Sequence, residues 1–60
     1  MSKLNLRISY PECLPYTIYG VKTVQNGVRL AIRYWIKSGF IKRQPKTVGG
    51  GFEGVVVEIL

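Results

Sequence analysis

One stretch of this sequence, residues 22–46, constrains the fold more than any other. It holds seven of the nine Lys and Arg residues of the chain and no acidic residue. Five polar residues inside it recur every three or four positions: Lys22, Asn26, Arg29, Arg33 and Lys37. A helix that turns about 100° per residue places residues with this spacing on one face. The spacing therefore predicts a helix with a row of cations along one side.

A second set of residues predicts how that helix is anchored. Val24, Val28, Ala31 and Trp35 have the same spacing and fall on the side opposite the cations. An apolar stripe of this kind is typical of a helix packed on a core. We therefore expect Trp35 to serve packing rather than base stacking.

The ends of the helix are predicted to lie near residues 23 and 38. Thr23 suits the N-cap because its hydroxyl accepts from a free N–H of the first turn. A later start, with Asn26 as the cap, stays open, because Asn26-Gly27 is a turn signal and a helical glycine costs about 1 kcal/mol relative to alanine. At the other end Lys37 suits the helix dipole, and Gly39 suits the left-handed conformation that ends helices.

The remaining segments predict strands and turns. Residues 4–10 alternate apolar and polar, which indicates a strand with one buried face. Pro11 and Pro15 predict a turn, an irregular loop or a single helical turn over residues 11–20. Residues 40–48 and 52–60 are predicted strands joined by a turn at residues 49–51, with Pro45 at an edge or bulge. The predicted fold class is α+β, with the order β-α-β-β in one domain spanning residues 1–60.

The last predicted strand is largely apolar on both faces. Val55, Val57 and Ile59 share one face, and Val56, Glu58 and Leu60 lie on the other. Such a strand is buried on both sides or paired with another molecule. Leu30 and Ile36 flank the predicted row of cations, and two interpretations of them stay open. In the first, they join Val56 and Leu60 in a homodimer or partner contact. In the second, the N-terminal segment covers them.

The order of helix, Gly39-Phe40-Ile41-Lys42-Arg43 and glycine-tipped hairpin resembles the second half of a winged helix-turn-helix domain. The matching segments are residues 23–38, 39–43 and 44–60. The resemblance implies a minimal winged-helix-like fold, with a recognition helix followed by a wing. It implies that four helix residues face the major groove: Gln25, Asn26, Arg29 and Arg33. It also implies that three wing residues contact the DNA backbone or minor groove: Lys42, Arg43 and Lys46.

Composition sets the class of partner. Sixty residues form one small domain, and the net charge of +6 draws such a chain to polyanions. No apolar run reaches membrane-spanning length and no secretory signal is recognised, so no membrane partner is expected. A single cysteine, Cys13, excludes an internal disulfide and fits a reducing cytoplasm.

The residue types present argue against an enzyme. The chain has no histidine and no aspartate, and its three glutamates are far apart in sequence. A general acid–base pair, a catalytic triad and a metal-ligand set therefore lack their residues. No cofactor and no small-molecule substrate are expected, and Cys13 is interpreted as an unreactive thiol without a histidine to activate it. Residues 49–51 are interpreted as a hairpin tip rather than a phosphate cradle, since the lysine and hydroxyl of a P-loop do not follow.

Duplex DNA is the leading partner. Lys and Arg neutralise phosphates, Arg also binds guanine bidentately, and Asn or Gln reads adenine from a helix in the major groove. Solvated surfaces usually mix charges of both signs, whereas this stretch carries one sign only. The candidate nucleic-acid-binding residues are Lys22, Gln25, Asn26, Arg29, Arg33, Lys37, Lys42, Arg43 and Lys46. We therefore expect a DNA-binding transcriptional regulator or a recombination or replication accessory factor of viral or mobile-element type.

Two other functions stay open. A small basic inhibitor or adaptor of phage type would bind and block a larger host protein, and its apolar residues beside the cations would then matter most. An RNA-binding protein would use the same cations, with Tyr16, Tyr19 and Tyr34 as candidate platforms for stacking bases.

Overall fold

The computed structural model describes residues 3–49 and 51–60 of the chain. The elements in chain order are β1 (Leu4–Ser9), β2 (Tyr16–Val21), α1 (Val24–Lys37), β3 (Thr47–Val48), β4 (Gly51–Phe52) and β5 (Val56–Ile59). An antiparallel sheet has the order β2-β1-β5, and β3 pairs with β4 in a separate hairpin. The predicted α+β class, with a strand, one helix and then a hairpin, is confirmed.

The core lies between the sheet and one face of α1. The first predicted strand is confirmed, because β1 alternates and buries Leu6 and Ile8 completely. Trp35 is also fully buried, as the apolar stripe predicts, and it donates its indole N–H to the carbonyl oxygen of Leu14 at 2.8 Å. Val24, in the first helical turn, is 37% exposed, so the stripe is covered only from the second turn onward. The buried apolar residues are Leu6, Ile8, Val21, Val28, Ala31, Ile32 and Trp35.

Both ends of α1 lie where the sequence predicts them. The Thr23 hydroxyl oxygen accepts from the Asn26 backbone N–H at 3.1 Å, so Thr23 is the N-cap and the later start is excluded. At the C-terminus Gly39 has φ +86°, and its N–H donates to the Ile36 carbonyl. The Phe40 N–H donates to the Trp35 carbonyl at 2.8 Å. These two bonds form a Schellman motif, which satisfies carbonyls that the helix leaves free.

The packing of α1 on the sheet explains the glycine inside the helix. Gly27 is buried, and a Cβ at this position would lie 2.6 Å from Cδ1 of Leu6. It would also contact Ile8 and Ile18 of the sheet. Because real Cβ atoms do not approach carbon so closely, glycine allows α1 to lie directly on β1 and β2. The close approach compensates for the low helix propensity of Gly27.

The prediction for residues 11–20 was wrong over its second half. Residues 16–21 form β2, which pairs antiparallel with β1. The two prolines do not interrupt this strand, because both precede it. The turn lies at Glu12, whose φ of +66° accompanies a hydrogen bond from the Cys13 N–H to the Tyr10 carbonyl. A register shift opposite Gly20, which has φ +74°, then bends the end of β2.

The predicted long C-terminal hairpin is also corrected. Residues 40–46 are not a strand, since their first residues complete the C-terminal cap of α1 and Pro45 lies in an irregular segment. The hairpin consists of β3 and β4 alone, and Gly49 follows β3 with φ +50°. A turn at Gly54, with φ +83°, then redirects the chain so that β5 pairs with β1.

The strand β5 lies at one edge of the three-stranded sheet. Val57 faces the core, but Val56, Ile59 and Leu60 are 64%, 63% and 49% exposed. Burial on both faces, one of the two interpretations of this segment, is therefore wrong for the part of the chain that the structure describes. Pairing with another molecule stays a prediction.

Candidate nucleic-acid interface

The outer face of α1 carries the predicted row of cations. Asn26, Arg29, Arg33 and Lys37 are exposed on the helix, and Lys22 is exposed just before its N-cap. The row points away from the sheet because the opposite face of the same helix is held in the core. The predicted geometry of one basic face and one anchored face is confirmed. We name these five residues, Lys22, Asn26, Arg29, Arg33 and Lys37, the basic row.

Part of the basic row borders a groove of about 620 Å³. Lys22, Asn26, Arg29 and Arg33 lie along this groove together with the amide of Gln44. Apolar side chains form the rest of its surface, among them Leu30, Ile36 and Phe52. The arrangement offers cations and amide groups for phosphates and base edges, beside apolar side chains.

The other predicted site residues lie at the margins of this surface. Gln25 borders a second groove, of about 380 Å³, between α1 and the β3–β4 hairpin. Lys42 and Arg43 are exposed in the irregular segment after α1, and Lys46 is exposed immediately before β3. The carbonyl of Lys46 accepts from the Glu53 N–H at 2.8 Å, which fixes its backbone beside the hairpin. The structure therefore does not bring these four residues into the groove of the basic row.

None of the acidic residues borders the groove of the basic row. Glu58, on the open face of the sheet, binds Arg7 with a distance of 3.2 Å between Arg7 Nη1 and Glu58 Oε1. Glu12 lies in the turn after β1, and Glu53 follows the β3–β4 hairpin. Within residues 3–49 and 51–60, Arg7–Glu58 is the one salt bridge, so the cations of α1 keep their full charge for an external partner.

Exposed apolar residues flank the basic row. Leu30, Tyr34 and Ile36 are 41%, 42% and 38% exposed. The interpretation that the N-terminal segment covers Leu30 and Ile36 is therefore wrong for the described residues, since that segment forms the sheet on the other side of α1. Tyr34 packs against Tyr16 with ring centroids 5.1 Å apart. Because of this contact, one face of each ring is no longer available to a stacked base.

The surroundings of the Cys13 thiol disfavour its thiolate form. Burial, together with the neighbouring Glu12 carboxylate, raises the pKa of the Cys13 thiol above its ordinary value. A raised pKa disfavours the thiolate, which is the nucleophilic form. In the part of the chain that the structure describes, no three His, Cys, Asp or Glu side chains come together as a metal site would require.

Two residues from the segment after α1 border the main groove and were missing from the predicted site. Gln44 was assigned to a strand, and Phe52 was assigned to the start of the second strand of the wing. Both residues lie beside the basic row because of the path that the chain takes after α1. Local periodicity does not determine that path. The only signal for Gln44 was its place inside the basic stretch, between Arg43 and Pro45.

Comparison of the chain with protein-family models, with curated proteins and with solved structures found no match. None of the helical residues that the structure describes forms a segment of the length and apolarity needed to cross a membrane.

Proposed function

We propose that this protein binds duplex DNA by docking the basic row of α1 in the major groove. One observation carries the proposal: the solvent face of a helix anchored by Trp35 presents cations and an amide, without an acidic residue. An α-helix has the width that the major groove admits. Arg29 and Arg33 supply phosphate contacts or bidentate contacts to guanine, and Asn26 supplies a contact to adenine.

The electrostatic part of this binding has a predictable size. Four cations belong to the basic row: Lys22, Arg29, Arg33 and Lys37. Each phosphate contact contributes about 0.9 to the slope of log affinity against log salt concentration, so four contacts predict a slope of about −3.6. Such a slope lowers the affinity roughly 100-fold between about 50 and about 200 mM salt.

A salt series with a labelled duplex of mixed sequence tests the proposal. We expect micromolar protein to shift the duplex at low salt, and Arg29→Ala to reduce the slope by about 1. Arg7→Ala is the matched control, because it removes the same charge from the opposite side of the molecule. Equal losses for both variants would show that only net charge matters, and the absence of a shift at low salt would contradict the proposal.

The biological role within DNA binding is a further part of the proposal. A transcriptional regulator and a recombination or replication accessory factor both use a small basic duplex-binding domain, and the cytoplasm is the compartment that we propose. The proposal rests on α1 and does not need a winged-helix core: the segment before α1 is the β1–β2 hairpin rather than further helices. RNA is distinguished by competition, since structured RNA would then displace the labelled duplex more strongly than unlabelled duplex does.

One observation favours a second function, that of an inhibitor or adaptor bound to another protein. Leu30 and Ile36 are exposed on both flanks of the basic row and border its groove. Protein interfaces bury apolar anchors of this kind, whereas contacts to phosphate do not need them. Affinity purification after nuclease treatment separates the two functions. A partner protein that survives the nuclease, and is lost with Leu30→Ser but not with Arg29→Ala, would favour the inhibitor.

A further inference from the structure

The free edge of the three-stranded sheet, formed by β5, has no bulge, proline or lysine to protect it against pairing. The strand β5 contains Val56, Val57, Glu58 and Ile59, without a lysine or a proline. Its pairs with β1 keep one register throughout, from Ser9 with Val56 to Leu6 with Ile59. Natural proteins usually protect such edges with bulges, prolines or positive charges, because an open edge is a template for another strand.

The opposite edge of the sheet, β2, is protected. Pro15 immediately precedes this strand, and a register shift interrupts its pairing with β1 near Gly20. Of the two edges of this sheet, β5 is therefore the one that is suited to accept a further strand.

The backbone groups that β5 offers at its edge are determined by the pairing with β1. The Leu60 N–H donates to the Asn5 carbonyl at 2.8 Å. In an antiparallel pair, alternate residues of a strand form hydrogen bonds to the same neighbour. Glu58 and Val56 therefore also point their backbone groups towards β1. Val57 and Ile59 point theirs outward, at the free edge.

We propose that two copies of this chain associate by antiparallel pairing of β5 with β5, about a two-fold axis at Val57. In this register each Val57 N–H donates to the Val57 carbonyl of the other copy, and each Ile59 N–H donates to the Val55 carbonyl of the other copy. The alternative centre at Glu58 would place two like charges opposite each other, which is unfavourable. The backbone pattern and the charge therefore select the same register.

A second copy also fits the side-chain surface beside β5. In the Val57-centred register, Ile59 of one copy lies opposite Val55 of the other, on the face that α1 covers. Val55 and Val57 border the groove of about 380 Å³, together with Val28, Val48 and Phe52. Ile59 is 63% exposed in the single copy, and the dimer places it at the mouth of this apolar groove. The second copy thus covers an exposed apolar residue with an apolar surface of the same protein.

Charge does not oppose this pairing at the interface itself. Glu58 is the one charged residue of β5, and it keeps its salt bridge to Arg7 of its own copy. On the open face of the sheet, Val56 of one copy lies opposite Glu58 of the other. The cations of the basic row lie on the far side of α1, so their repulsion between copies acts over a longer distance and is screened by salt.

Sedimentation equilibrium of the full chain, at about 10 to about 500 μM in moderate salt, tests the dimer over the range of a small interface. A reductant keeps Cys13 from forming an intermolecular disulfide. Ile59→Lys and Val56→Lys are matched variants, since both put the same cation on an exposed position of β5. We expect Ile59→Lys to weaken the dimer more than about 10-fold, because the ammonium group would be desolvated in the groove. We expect Val56→Lys to keep the dimer or strengthen it about 2- to 5-fold, through an ion pair with Glu58 of the other copy.

Val57→Pro is the test of the backbone contacts. The Val57 N–H points away from β1, so proline at this edge position removes the bond between copies and no bond of the ladder with β1. We expect a folded monomer, with folding verified by circular dichroism. A wild-type protein that stays monomeric throughout the range would overturn the proposal. So would equal weakening by Ile59→Lys and Val56→Lys, or a dimer that survives both Ile59→Lys and Val57→Pro.

The dimer does not rest on the proposed DNA binding, and its test contains no nucleic acid. If the dimer does not form, the basic row of a single copy is still available to DNA. If DNA is not bound, the edge of β5 is still available for pairing. If both proposals hold, the paired sheet carries two α1 helices on one side, and their basic rows act together on one polyanion.

Discussion

Helix α1 and the segment after it, residues 38–55, carry the same number of cations but place them differently. Arg29, Arg33 and Lys37 stand on a helix whose opposite face is buried, so their relative positions are fixed. Lys42 and Arg43 lie on irregular chain, and Lys46 lies immediately before a two-residue strand. Packing therefore fixes the spacing of the cations on α1, and it does not fix the spacing of those in the segment after the helix. We name residues 38–55 the connecting segment.

The largest expected effect tests whether packing differs between the two regions. Trp35→Ala removes a fully buried side chain and its hydrogen bond to Leu14, and we expect a loss of about 3–5 kcal/mol in the free energy of unfolding. A domain of this size would then be largely unfolded. Phe40→Ala, in the connecting segment, removes a side chain that is 38% exposed, and we expect a loss of less than about 1.5 kcal/mol. Urea unfolding followed by far-UV circular dichroism measures both, and a larger loss for Phe40→Ala would contradict the comparison.

The next effect concerns binding. Arg29→Ala combined with Arg33→Ala removes two cations from the fixed row, and we expect duplex affinity to fall about 10- to 30-fold at moderate salt. Lys42→Ala combined with Arg43→Ala removes the same charge from the connecting segment, and we expect a loss of about 3-fold or less. Fluorescence anisotropy with one labelled duplex compares them. Equal losses would mean that the fixed spacing of the row has no role in binding.

A smaller effect tests how closely α1 lies on the sheet. Alanine normally stabilises a helix relative to glycine by about 1 kcal/mol. We expect Gly27→Ala instead to destabilise the protein by about 1 kcal/mol, because its Cβ would meet Cδ1 of the fully buried Leu6. Asn26→Ala, at the exposed neighbouring position, is the control for propensity alone.

The contact itself is verified by a double-mutant cycle with Leu6→Val, measured by thermal unfolding. The shorter side chain makes room for the new methyl group, so Gly27→Ala should cost less in the Leu6→Val background than in the wild type. Additive effects would show that Gly27 does not lie against Leu6.

The smallest effect concerns the start of α1. Thr23→Ala removes the hydroxyl that accepts from the Asn26 N–H, and we expect a loss of about 1 kcal/mol. Thr47→Ala is the matched change in the connecting segment, where Thr47 is exposed in β3, and we expect a loss of less than about 0.5 kcal/mol. Chemical unfolding distinguishes them, and Thr23→Ser should keep most of the stability because serine retains the hydroxyl.

The elements that the sequence predicts correctly are those with a strong local pattern. Helix α1 has a cap at Thr23, an apolar stripe ending in Trp35 and a stop at Gly39, and each of these signals involves neighbours within one or two turns. The strand β1 likewise shows simple alternation. The one ambiguous position, Gly27, is decided by Leu6 of β1, a residue far away in sequence that no local rule connects to it.

The elements that the sequence predicts wrongly depend on pairing between distant segments. Alternation of Tyr16 and Ile18 with Thr17 and Tyr19 is present in β2, but the prolines before it favoured an irregular loop. The turn at Gly54 sets the path of the chain after α1. It directs β5 to the free side of β1, whereas the sequence predicts that this strand pairs with residues 40–48. Such a choice between partners depends on which apolar residues reach the core, and periodicity alone does not specify it.

The candidate site was therefore predictable on α1 and not beyond it. The spacing of Arg29 and Arg33 determines their face directly, whereas Gln44 and Phe52 border the groove only because the connecting segment folds back along the helix.

The proposed binding mode requires that the outer face of α1 meets nucleic acid and that the open face of the sheet does not. Two-dimensional ¹H–¹⁵N NMR of the labelled protein, titrated with a short duplex, distinguishes these faces residue by residue. We expect the largest shifts in the basic row, with the side-chain Nε–H groups of Arg29 and Arg33 among them. Shifts concentrated on the open face of the sheet, at Arg7, Thr17 and Tyr19, or the absence of any shift at low salt, would contradict this binding mode.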